Sequence, residues 1–183
     1  MSPTLSSTLK RKNKLLALRR RMRTSGFGVH SPFAFRFLRG VVKCRHAYYA
    51  YDEIDRMSGD RKLMRLIFRV AQRFDCRRIA VETSLLPDVG RALSLVRSGM
   101  AVGSGVADAE LIVADSDISA EICRECLERE GVVVLIGLKR KRGEARDLLE
   151  ALDGAGMSFA DGSTAIIVGD KRLPRQHFEV CLR

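Results

Sequence analysis

The chain has 183 residues, 46% of them hydrophobic, which is enough for one domain with a full core. Its formal charge of +11 is unevenly placed: residues 1–51 hold 12 of the 33 Lys and Arg and no Asp or Glu, while residues 52–183 hold 21 basic and 22 acidic residues. No apolar run reaches the ~18 residues of a membrane span. The N-terminus lacks the apolar segment of a secretory signal, and the five cysteines (Cys44, Cys76, Cys123, Cys126, Cys181) follow no disulfide pattern, so a cytoplasmic protein with reduced thiols is expected. On composition alone, the Arg-rich, acid-free N-terminus also fits a transit peptide.

Residues 1–8 are small and polar and read as disordered. Residues 9–23 predict a short basic amphipathic helix with Leu15, Leu18 and Met22 on one face and Leu16 beside them. Gly26-Phe27-Gly28 breaks it. Ser31-Pro32 is a helix start, with Ser as N-cap and Pro at the first helical position. Phe37, Leu38, Val41 and Val42 give that helix its apolar stripe, and Tyr48-Tyr49-Ala50-Tyr51 follows as a loop or turn. Asp60 is placed to cap a long helix carrying Leu63, Leu66, Ile67, Val70, Ala71 and Phe74.

Residues 78–83 predict a buried strand, Ser84 to Asp88 a turn, and residues 88–98 a helix with Val89, Ala92, Leu93 and Val96 on one face. Met100-Ala101-Val102 reads as a short strand and residues 110–115 as a core strand. Ser116 or Asp117, with Asp115 as a further candidate, is expected to cap a helix with Ile118, Ile122, Cys123, Cys126 and Leu127 on one face, ended by Gly131. The continuous apolar run Val132 to Ile136 is a fully buried strand. Lys139 to Arg142 opens a linker into a helix with Leu148, Leu149 and Leu152, stopped by Gly154. Asp161-Gly162 is a hairpin turn between 157–160 and 164–168, and Phe178, Val180 and Leu182 alternate in a last strand. Strands alternating with helices predict an α/β domain with a mostly parallel sheet, antiparallel strand or strands at its C-terminal edge, and an N-terminal helical extension.

A strand, tight turn and helix such as 78–98 are where α/β proteins hold nucleotides. The order of elements resembles a class I S-adenosylmethionine-dependent methyltransferase. Gly26-Phe27-Gly28-Val29-His30-Ser31-Pro32-Phe33, followed by Tyr48 to Ile54, is similar to the N-terminal extension of bacterial O-methyltransferase-like proteins common in Bacteroidetes. Lys171 to Phe178 resembles the link into their last strand. The resemblance runs from residue 15 onward and implies a three-layer Rossmann-like methyltransferase fold with a shortened sheet. It divides the chain into a basic arm (1–24), a helical extension (25–75) and a Rossmann-like domain (76–183), the last two forming one compact unit.

The departures from that family are chemical. Its first strand runs into a Glu-Leu-Gly-Thr-Ser-x-Gly loop; aligned on Thr83-Ser84, the glutamate becomes Ala80 and the two glycines become Glu82 and Leu86. Glycine there lets the backbone approach a cofactor, and Pro87 removes a further donor. Only 25 residues separate Ser84 from Glu110, so at least one strand–helix unit is missing or shrunken. No acid follows Met100-Ala101-Val102 until Asp108, and the acidic pair the family often has after its fifth strand is replaced by Gly137-Leu138-Lys139-Arg140.

The resemblance therefore implies vestigial cofactor positions at Thr83, Ser84 and Asp115, no catalytic residue, no metal, and no retained cofactor unless a pocket for S-adenosylmethionine survives. Glu82 is read as a displaced ribose ligand or as a partner for Arg77, Arg78 or a helix end. Cys123-Arg124-Glu125-Cys126 sits mid-helix, where core packing is expected over redox or zinc chemistry. His30 has no companions for a catalytic triad. Tyr48, Tyr49 and Tyr51 either stack bases or pack helices over the sheet. Residues 139–142 either bind an anion or form a solvated loop.

Eight cations, Lys10, Arg11, Lys12, Lys14, Arg19, Arg20, Arg21 and Arg23, form a candidate polyanion site for nucleic acid or an anionic surface. Three functions stay open: a degenerate methyltransferase-like protein, an active methyltransferase with an altered loop, and a binding module built on the basic arm.

Overall fold

The structure is a computed structural model. It describes residues 17–57, 59–105, 107–140 and 142–182. Residues 17–24 form helix α1. Then follow α2 (Pro32–Phe37), which continues into a π-helical turn over Leu38–Val42, α3 (Ala50–Ile54) and α4 (Arg61–Arg73). The remaining elements are β1 (Arg78–Val81), α5 (Leu86–Ser94), β2 (Ala101–Gly103), β3 (Leu111–Asp115), α6 (Ala120–Glu128), β4 (Val132–Ile136), α7 (Arg142–Ala151), β5 (Met157–Ala160), β6 (Ala165–Val168) and β7 (His177–Glu179).

The predicted starts at Ser31 and Asp60 hold. Ser31 Oγ accepts from Ala34 N, with Pro32 in the first turn, and Asp60 Oδ1 accepts from the amides of Lys62 and Leu63. Behind that cap α4 buries Leu66, Ile67 and Val70 completely, worth ~2 kcal/mol for each side chain.

The strands form one sheet in the order β2-β1-β3-β4-β6-β5-β7. All neighbours are parallel except at β6, which runs against β4 and β5. The architecture is thus α/β with a mostly parallel mixed sheet and is compatible with a Rossmann-like fold. Every residue of β3 and β4 is buried, as their unbroken apolar runs foretold. The β5–β6 hairpin turns at Asp161-Gly162, where Asp161 Oδ1 accepts from the amides of Ser163 and Thr164 and Gly162 has φ +83°.

Alternate residues of the strands feed two apolar clusters. Ile79, Val81, Leu111, Val113, Val134 and Phe159 join α2 to α5. Ile112, Ala114, Val133, Leu135 and Ile167 join α6 and α7. The helical extension therefore shares its core with the sheet. Buried Arg69 of α4 fastens it: its Nε donates to Val41 O (2.5 Å) and its Nη1 to Tyr51 Oη (2.8 Å).

Several expected boundaries move. Leu86-Pro87 opens α5 instead of extending the turn, and Pro at the second helical position costs no hydrogen bond. The cap of α6 is Ser119, whose Oγ accepts from Glu121 N (3.2 Å); neither Asp115, Ser116 nor Asp117 caps it. Of Tyr48 to Tyr51, read as a loop or turn, Ala50 and Tyr51 instead open α3, which buries Tyr51 and Ile54. The antiparallel strand β6 lies inside the sheet, while the last strand β7 is parallel to β5 at the edge. Between β1 and β3 the described residues form one helix and a three-residue strand, and the connection from β2 to β3 crosses β1.

The end of the sheet where β4 and β5 begin is closed by backbone against backbone. Gly169 N donates to Gly131 O (2.9 Å). A Cβ on Gly169 would overlap Leu127 O, and one on Gly156 would overlap Val168 O.

Removing the Arg69 anchor leaves Val41 O and the Tyr51 hydroxyl unpaired inside the core. Arg69→Ala is expected to lower the unfolding free energy in urea titration by ~2–4 kcal/mol, and Tyr51→Phe by ~1 kcal/mol.

Candidate functional site

From β1 the chain leaves through α5 toward β2, whereas from β3 it leaves through α6 toward β4. The C-terminal ends of β1 and β3 are therefore a topological switch point, the place where open α/β sheets bind ligands. Glu82, Thr83 and Ser84 leave β1 here, and Asp115 ends β3. The sequence-predicted trio thus lies at one end of the sheet, where Glu82 links Ser84 to Asp115, and of the three Thr83 alone lines the cavity there.

A cavity of about 360 Å³ opens beside it. Its floor is Ala80, Ile112 and Ala114, its wall Ile118 and Ile122 of the α6 approach, and its rim Glu82, Thr83, Ser104 and Asp117. Ser104 follows β2, so the cavity opens beside the start of the β2–β3 crossover. Ile122, expected to join the core face of α6, is instead 52% exposed at this opening.

Glu82, Ser84 and Asp115 are tied into one network. Glu82 Oε2 accepts from Asp115 N (2.7 Å), and Glu82 Oε1 accepts from Ser84 Oγ (2.8 Å). Asp115 is buried, and its Oδ1 accepts from Ser116 N (2.7 Å) and Ser116 Oγ (3.2 Å). Its Oδ2 pairs with the Arg140 guanidinium. Gly137 allows that closure: it has φ +70°, a Cβ would stand 2.6 Å from Asp115 Oδ1, and Arg140 N donates to Gly137 O (2.8 Å) to turn the chain back.

The turn after β1 is equally self-contained. Leu85 N donates to Glu82 O (2.9 Å), Leu86 N to Thr83 O (3.3 Å), and Pro87 has no N–H. Asp88 adds a negative charge to the first turn of α5. The Glu82 and Asp115 carboxylates, the groups that could take hydroxyls or an ammonium, are already engaged.

Glu82 is neither paired with Arg77 or Arg78 nor set against a helix end; Arg78 pairs instead with Glu110 (3.0 Å). The residues that sequence reasoning missed are Gly137 and Arg140. Their one signal is the Gly137-Leu138-Lys139-Arg140 run, a turn residue and cations just past the β4 end that could reach back to Asp115.

The other candidates disperse. Cys123 and Cys126 are buried in the second cluster, as expected for core packing; burial pushes their thiols up to about 12 and about 11, and Cys76 up to about 12. Among the described residues no group of three or more His, Cys, Asp and Glu could hold a metal ion. Tyr51 is buried, Tyr48 packs on Tyr51 and Phe68, and Tyr49 alone is fully exposed. His30 is exposed in the turn before α2. Of the basic arm, Lys10, Arg11, Lys12 and Lys14, with Leu15 and Leu16, lie outside the described residues. Arg19, Arg21 and Arg23 are exposed on α1, whereas Arg20 turns inward to Asp161 O (3.3 Å) and Glu179 (3.8 Å). No helix among the described residues is long and apolar enough to cross a membrane.

Thiolate is the reactive form, and a raised pKa keeps these three thiols protonated through neutral pH. Ellman titration of the native protein is expected to reach only Cys44 and Cys181, and all five cysteines after denaturation. Glu82→Ala, which strands the Asp115 amide, is expected to lose ~1–3 kcal/mol of stability in urea. No protein-family model, curated protein or solved structure matches this chain.

Proposed function

We propose that the chain is a non-catalytic, methyltransferase-like protein: a three-layer Rossmann-like domain of the class I S-adenosylmethionine-dependent type whose cofactor crevice is filled by its own side chains. The observation that carries this reading is the bridge across the switch point. Glu82 holds the Asp115 amide and Ser84, and Arg140 neutralises Asp115. A cofactor would have to displace these interactions and also make close backbone contacts at Glu82 and Leu86, where the resembled family has glycine.

Two apolar clusters fed by alternate strand residues support the layered fold. The short β1–β3 interval supports the loss of one strand–helix unit. The words Gly26 to Phe33, leading into α2, and Tyr48 to Ile54, leading into and through α3, support the family resemblance.

The cavity of about 360 Å³ favours a second reading, an active methyltransferase with an altered loop, because its size lies at the lower end for small-ligand sites. Isothermal titration calorimetry with S-adenosylmethionine and S-adenosylhomocysteine separates the two. No saturable heat is expected up to ~1 mM ligand, which corresponds to binding weaker than about 4 kcal/mol. Micromolar affinity for either ligand overturns the non-catalytic reading.

A further inference from the structure

Helix α1 carries its polarity the wrong way round for a surface helix. At about 100° per residue, Arg20 and Thr24 fall on one side and Leu18 and Met22 on the other. The polar side faces the body. Thr24 is 1% exposed, and its Oγ1 accepts from Cys181 N (2.8 Å) and donates to Arg20 O (2.5 Å). Arg20 reaches Asp161 O and Glu179. The apolar side is left in solvent, with Leu18 55% and Met22 39% exposed.

The apolar surface continues past the helix. Phe27, 68% exposed, joins Met22 along an open cleft of about 690 Å³ walled by Val42 and Leu182. The Phe35 ring, 45% exposed, lies over Gly26, where a Cβ would overlap it. Four of the six exposed large hydrophobic residues among the described residues thus fall between Leu18 and Phe35. Cations surround them. Arg19 and Arg23 flank the stripe on one side; Arg21 and Lys43 line the cleft on the other. No Asp or Glu occurs before Asp52.

We infer that α1 and the 25–28 turn form a peripheral docking face for an anionic lipid bilayer. The helix lies in the interface plane, with Leu18, Met22 and Phe27 entering the acyl boundary and the arginines contacting headgroup phosphates. Nucleic acid could use the cations and the phenyl rings but offers nothing to Leu18 and Met22, so the exposed aliphatic stripe favours the bilayer. The face is separate from the switch-point crevice and does not depend on what that crevice binds.

The test is co-sedimentation of the full chain with vesicles of phosphatidylcholine alone and with phosphatidylglycerol added to about a two-to-one mixture. Binding is expected only to the anionic vesicles. Arg19→Gln, Arg21→Gln and Arg23→Gln together should weaken it on the order of 100-fold, at about fivefold per charge. Leu18→Ser with Phe27→Ser should weaken it at least ~10-fold while leaving the thermal melt unchanged, since both side chains are exposed. The chain has no Trp, so Phe27→Trp places one reporter at the face; its emission should shift to the blue and be quenched by brominated lipid. Three results overturn the inference: vesicle binding indifferent to the Leu18 and Phe27 substitutions, single-stranded RNA or duplex DNA bound more tightly than anionic vesicles, or a solution dimer that the same two substitutions dissociate.

Discussion

Two adjacent parallel strands that send their chains in opposite directions leave a gap of unpaired amides at their C-terminal ends. In this protein the whole upper rim of the sheet depends on how that gap between β1 and β3 is closed. One carboxylate does it. Glu82 takes the Asp115 amide and the Ser84 hydroxyl. Asp115, buried by the same closure, then requires a cation, which arrives as Arg140 from beyond β4. That cation arrives only because Gly137 bends the chain in a conformation and at a closeness that a side chain would forbid. Each element follows from the one before, so the rim behaves as a single cooperative network and not as a set of spare ligands.

Local signals are the legible part of the chain. Ser31-Pro32, Asp60 and Asp161-Gly162 act within three or four residues of themselves, and all three do in the fold what their spacing foretells. The buried strands at 111–115 and 132–136 are legible because an unbroken apolar run has few alternatives. Misreadings cluster where a distant partner decides. Leu86-Pro87 reads as a turn because Pro marks both turns and first helical turns. Asp115 reads as a cap because a carboxylate before a helix usually is one; here an arginine 25 positions away claims it. The reversal at β6 and the parallel edge strand β7 are matters of sheet order, which periodicity along one segment does not encode.

The N-terminal segment repeats the lesson at the surface. Its periodicity gives a helix with the right residues on each face, yet the sense of burial is inverted. A long-range hydroxyl–amide bond from Thr24 and the reach of Arg20 to the β5–β6 turn outweigh the pull of two apolar side chains. The spacing of apolar residues identifies the two faces of a helix; what each face meets is set by the rest of the fold.

The two ends of the sheet are made of different material. At the end where β4 and β5 begin, main chain lies on main chain at Gly131, Gly156 and Gly169, and any added carbon collides with a carbonyl. That end has almost no mutational freedom. At the opposite end, closure is by the side chains of Glu82, Asp115 and Arg140, each held by the next. The frame is thus closed by backbone at one end and by a side-chain network at the other. Substitution is therefore tolerated least where the backbone packs on itself and is resisted at the rim only by the loss of side-chain partners.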